Sequence, residues 1–213
     1  MAAPDAPPGP RADLVILAFG GRRIPRSLSA HPVQPVGQNT DSTAIDDATA
    51  TARRIVVLGT RADLAAVLTR LLRTDRLGVE VAHIGRWRGA ARAQSAAAQR
   101  VPLIRDETGQ VIVDTAFWLP ADDQPTIEGE AIVDDTLLFD GRATAVRIEP
   151  LPGPPGLRAS VLSARMRPAR WVSGRAAQLG TTGARVVRDG QPAARPVRRS
   201  TFYRHTEGWL RVG

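Results

Sequence analysis

The chain contains no cysteine, which excludes disulfides, thiolate metal sites and cysteine nucleophiles. Lysine is absent as well, so all 29 basic side chains are arginine. Schiff-base chemistry and the phosphate-binding lysine of a P-loop are excluded with it. Aromatic residues make up only 4% of the chain, so the core must be built from Val, Leu, Ile and Ala within an ordinary 43% apolar fraction. Long apolar runs are also missing: Leu14 to Phe19 and Ile55 to Leu58 fall far short of the roughly 20 residues that span a bilayer. The opening MAAPDAPPGPRAD has acids and prolines where a signal peptide needs basic and then apolar residues, so a cytoplasmic location is expected.

What is present is a 213-residue chain of net charge +8, long enough for one large domain or two small ones. That charge suits an anionic partner such as phosphate, a lipid headgroup or nucleic acid, although GC-rich codon usage also yields arginine. Residues 1–12, rich in Pro and Ala, are expected to be disordered. Residues 13–53 read as a short buried strand at Leu14 to Phe19, closed by Gly20-Gly21, followed by a polar linker from about Pro25 to Thr51.

Residues 54–100 read as a βαβ segment and a connector. Ile55 to Leu58 is a strand; Thr60 and Asp63 form a capping-box-like start; Leu64, Val67, Leu68, Leu71 and Leu72 make one helical stripe; Val79 to Ile84 is the next strand. A helix that begins after a glycine offers free N–H groups, making Gly59, Thr60 and Arg61 a conceivable anion site. Arg86 to Arg100 is alanine-rich, and Arg86, Trp87, Arg88 and Arg92 would suit phosphate contact and base stacking if it is more than a solvated connector.

Residues 101–213 read as a β-rich domain. Hairpins are expected at Asp106 to Gly109, Asp140-Gly141, Asp189-Gly190 and Thr206 to Gly208. The fold class is therefore α/β of the α+β kind: a short βαβ segment followed by a larger, mainly antiparallel sheet or sandwich.

No catalytic set is complete. Asp134 and Asp135, with Glu128, Glu130 and Asp140 nearby, are expected to make a turn rather than a metal site, because neighbouring strand residues point to opposite faces. His31, His83 and His205 have no zinc-ligand spacing, and no GxSxG elbow surrounds Ser200. Arg198, Arg199, Arg204 and His205, with Arg195, form a possible anion contact, since guanidinium forks match phosphate. Strand alternation divides Arg198 and Arg204 from Arg199. No metal and no cofactor is expected.

The C-terminal VRDGQPAARPVRRSTFYRHTEGW, with VPLIRDETG and GEAIVDDTLLFDG before it, resembles a group of actinobacterial proteins over residues 54–213. The order of a βαβ segment, a β-rich lobe and a late Asp-Gly turn resembles, more distantly, the diacylglycerol kinase-like lipid kinases. That resemblance implies a first lobe whose GGDGT loop binds nucleotide phosphates and a β-sandwich lobe carrying DGE. At these places stand Gly59-Thr60-Arg61-Ala62-Asp63 and Asp189-Gly190-Gln191, an amide replacing the final carboxylate. The motifs are incomplete, so the leading expectation is a non-catalytic binding or scaffolding protein on a degenerate lipid-kinase-like fold. The alternatives are a divergent nucleotide or lipid phosphotransferase and a nucleic-acid-binding protein.

Overall fold

A computed structural model describes residues 13–37, 42–85, 89–121 and 124–213. The expected disorder of residues 1–12 and the contacts expected of Arg86, Trp87 and Arg88 lie outside the described residues.

Strands β1 (Leu14–Phe19), β3 (Arg54–Leu58) and β4 (Glu80–Ile84) are apolar on both faces and run parallel. Such strands need cover on each side of the sheet. Val15, Leu17, Phe19, Ile55 and Val57 point to one core, beneath helices α1 (Ser42–Thr49) and α2 (Arg61–Arg73). Leu14, Ile16, Val56 and Leu58 point to the other, beneath α3 (Ala90–Ser95) and a 3-10 turn at Arg26–Leu28. In α2 the expected stripe holds: Leu64, Val67, Leu68 and Leu71 are buried and Leu72 packs beside them. The Pro25 to Thr51 segment differs from the linker expected, since it forms β2 (Val33–Val36) and α1. Only Ile45 and Thr49 of α1 are buried, too few to mark a helix, and its hold comes partly from Arg70 Nε donating to Asp46 Oδ1 at 2.9 Å.

The six-stranded first sheet has the order β2-β1-β3-β4-β17-β5. It is completed from the chain's far end, because β17 (Trp209–Val212) lies parallel to β4 and antiparallel to β5 (Ala98–Val101). Thr206 to Gly208 is therefore not a hairpin but a return to the first lobe. Gly208 permits it, since a Cβ there would stand 2.2 Å from the Val101 carbonyl oxygen.

Between β5 and β17 the chain forms a mainly antiparallel lobe of eleven strands. The strands are β6 (Ile104–Asp106), β7 (Val111–Ile112), β8 (Ala116–Pro120), β9 (Ile127–Val133), β10 (Thr136–Ala143), β11 (Ala145–Pro150), β12 (Leu157–Leu162), β13 (Val172–Gly174), β14 (Ala176–Arg188), β15 (Gln191–Pro192) and β16 (Val197–Arg204). The long β14 organises them by pairing with β8, β9, β15 and β16. Trp118 and Phe202 fill the lobe's core, and the Trp118 indole N–H donates to Ser200 Oγ at 3.0 Å.

The expected turn at Asp106 to Gly109 forms between β6 and β7. That at Asp189-Gly190 also forms, with φ of +47° and +84°, joining β14 to β15. Asp140-Gly141 does not turn: both residues continue β10 opposite Glu130 and Gly129, and Gly141 takes its φ of +100° within the strand. The β9–β10 turn falls instead at Asp134-Asp135, where the Asp134 carboxylate accepts the Arg175 and Ala176 N–H groups. Among the described residues no helix is long and apolar enough to cross a membrane.

One buried charge pair ties the second lobe together. Asp106 is wholly buried; its Oδ1 accepts the Thr108 and Gln110 N–H groups, and its Oδ2 lies 2.5 Å from Arg188 Nε. Removing one partner strands the other charge, so Asp106→Ala should lose about 3–5 kcal/mol in urea unfolding. A loss below about 1 kcal/mol, the scale of an exposed pair, would contradict this.

Candidate functional site

Because β1, β3, β4 and β17 are parallel, their carboxyl ends share one edge of the sheet. Open α/β sheets bind ligands at that edge. Here it carries a cavity of about 720 Å³. Arg22 enters it from the segment after β1, Gly59 to Arg61 from the loop after β3, His83 from β4 and Arg211 from β17. The arginines Arg22, Arg61 and Arg211 are all exposed, which leaves their guanidinium groups open to solvent and ligand.

His83 braces this edge. Its Nε2 lies 3.0 Å from the Gly59 carbonyl oxygen, so the ring donates there and carries its proton on that nitrogen. Burial pushes its pKa below the ordinary value, and the charges of Arg61 and Arg22 push the same way, against the pull of the Gly59 carbonyl. The ring is therefore neutral at neutral pH. Arg22 Nη1 donates to the Gly85 carbonyl at 2.7 Å, linking the ends of β1 and β4.

The start of α2 is already engaged. The Thr60 N–H donates to Asp63 Oδ2 at 2.7 Å and the Thr60 hydroxyl at 2.8 Å, while the Asp63 N–H donates to Thr60 Oγ1 at 3.2 Å. This is the capping box that the spacing predicts. Gly59 is required beside it, because a Cβ would meet Asp63 Oδ2 at 2.7 Å.

A second cavity, of about 790 Å³, opens between α2 and the β-lobe. Thr60 lines both cavities, so the two adjoin at the head of α2. Arg70 and Arg73 stand along the helix side, and Arg188, Asp189 and Gln191 on the lobe side. Asp189 is more than a turn residue: its carboxylate accepts the N–H groups of Val113, Asp114 and Thr115 at 3.0, 2.8 and 3.0 Å. Burial raises its pKa, with the three amides opposing. Among the described residues no three His, Cys, Asp or Glu side chains gather as a metal cage.

Of the residues singled out in the sequence, Gly59 and Thr60 line the cavities. Arg198, Arg199, Arg204 and His205 line neither. Ser200 and Phe202 are buried, so alternation along β16 does part Arg198 and Arg204 from Arg199. Arg204 packs over Gly156, and His205 Nδ1 accepts from Arg105 Nε at 3.3 Å. Arg22, His83 and Arg211 escape sequence reading as a group, since only the parallel register brings them together. Their one signal is position, each lying near the end of an apolar strand.

No protein-family model matches the sequence, and no curated protein matches it. In fold the chain is similar to an NAD kinase from Archaeoglobus fulgidus in complex with ATP, at 13% identity over 94% of this chain and 93% of that one, with a TM-score of 0.65. It is also similar to a diacylglycerol kinase from Bacillus anthracis str. Sterne, at 10% identity over 93% of this chain and 95% of that one, with a TM-score of 0.68. The two lobes thus have the arrangement of these kinases, which is the lipid-kinase-like fold that the order of elements implies.

Proposed function

We propose that the protein is a divergent phosphotransferase that takes a nucleoside triphosphate as donor and holds its phosphates in the cavity beside Gly59. The observation that carries this reading is the convergence of Arg22, Arg61 and Arg211 on the carboxyl edge of the first sheet. Guanidinium forks match phosphate oxygens, and positive charge at a transferring phosphoryl group is what such a reaction needs from a protein. The three arginines supply such positive charge from the protein itself. The ATP-bound neighbour of the same fold supports a nucleotide as donor. The sequence by itself favours a binding module; the cavity's arginines and the kinase fold together favour transfer.

A second reading, a binding module without turnover, draws support from Asp63. Its carboxylate already takes the Thr60 N–H at the head of α2, so that amide is not free to stabilise charge on a transferring phosphoryl group, while the cavity's arginines can still hold a phosphate.

Titration calorimetry with ATP and magnesium tests the common part of both readings. Binding should appear at submillimolar concentration, and Arg61→Ala should weaken it by about 10- to 100-fold, the value of a charged hydrogen bond. No heat at millimolar ATP would refute both. Release of labelled phosphate, or its transfer to a hydroxyl compound, selects the first reading, and binding without either selects the second.

The site also sets a pH dependence. His83 is neutral in the free protein, its pKa lowered by burial, and an anion beside it stabilises the imidazolium. Affinity for ATP should therefore rise as pH falls from neutral into the acid range where the ring takes up its proton in the complex. His83→Asn should flatten that rise; an unchanged profile in the variant would exclude His83 as its source.

A further inference from the structure

In the second lobe, the connection from β12 to β13 is exposed at every residue from Ser163 to Arg170. It is nevertheless held in one shape. The Met166 N–H donates to the Ser163 carbonyl at 2.8 Å, the Ser163 N–H to the Arg167 carbonyl at 2.9 Å, and the Ala169 N–H to the Val161 carbonyl at 3.0 Å. Met166 sits at the bend with φ of +57°, a conformation methionine rarely adopts, and its surface is 50% exposed. Arg165 and Arg167 flank it and Arg170 follows; no acid interrupts Ser163 to Trp171. None of these three arginines has an ion pair among the described residues. Behind them Trp171 is half-buried under the Arg158 guanidinium, 4.2 Å from its ring centre, which Glu149 holds at 2.6 and 2.8 Å.

We propose that this loop docks the protein on an anionic phospholipid bilayer, with Arg165, Arg167 and Arg170 on the headgroup phosphates and Met166 entering the interface. The charges alone would serve a nucleic acid equally. The apolar tip decides between them, since a bilayer interface buries Met166 and a phosphate backbone leaves it in water. On β11, Ala145 faces Leu162 at the loop, whereas Ile148, three residues on, faces Ala116, next to the Thr115 amide that Asp189 holds. Docking here engages none of the residues that line either cavity and does not depend on the proposed transfer.

The test is co-sedimentation of the full chain with vesicles of phosphatidylcholine, with and without phosphatidylglycerol. Binding is expected only with phosphatidylglycerol and should fall steeply with added salt. Replacing Arg165, Arg167 and Arg170 together by Ala should weaken it on the order of 100-fold, at about a factor of five for each charge near the surface. Met166→Ser, which keeps the arginines, should weaken it about tenfold. Both variants should keep the parent's melting temperature, because every substituted side chain is exposed. Equal binding to neutral vesicles, no binding to anionic ones, or an unaffected arginine variant would overturn the proposal. So would arginine-dependent binding to a DNA duplex that is indifferent to Met166→Ser and stronger than that to vesicles.

Discussion

The rest of the molecule hangs on the backbone pairing of β17. Among the described residues, strand β5 reaches the first sheet only through β17, and β17 reaches it only by lying against β4. The second lobe is thus an insertion held at both ends, with Trp209 opposite Val101 at the entrance. Trp209 joins the core formed by Leu64, Leu68 and Val57, and it also lines the cavity beside Gly59. Completing the sheet and forming the site are one packing event.

Charge placed out of water does the remaining fixing. Arg188 against Asp106, and the neighbouring Asp189 against three amides, both bear on the side of the second lobe that faces α2. A direct link crosses there too, the Val111 N–H donating to Thr69 Oγ1 at 3.0 Å. Leu103, Val111 and Val113 carry second-lobe side chains into the core beneath α2. The Thr69 bond and this shared core are what seat the second lobe against α2.

Legibility in the sequence followed burial. LVILAF, RIVVL and the α2 stripe are readable because both sheet faces and one helix face are dry, which forces long apolar patterns. Strand β2 carries Pro35 and only Val36 is buried, as suits an edge, so its pattern is weak. Asp-Gly is ambiguous for a physical reason: positive φ serves a two-residue turn at Asp189-Gly190 and an irregular strand at Gly141 equally well. At the site, Gly59 and Thr60 were legible through local capping chemistry. Arg22, His83 and Arg211 were not, because their meeting depends on the alignment of strands far apart in the chain.

The position of β17 also sets an order of assembly. During synthesis β1 to β5 emerge before β17, and residues 102–208 must follow before the strand between β4 and β5 exists. Until then β4 presents an open edge and β5 has no neighbour in the sheet. The nascent first lobe is therefore exposed to mispairing for as long as the second lobe takes to be made. The second lobe carries its own buried core. Its closure draws residues 102 and 208 together and delivers β17 to the gap, so the first sheet is completed only after the second lobe's strands have been made.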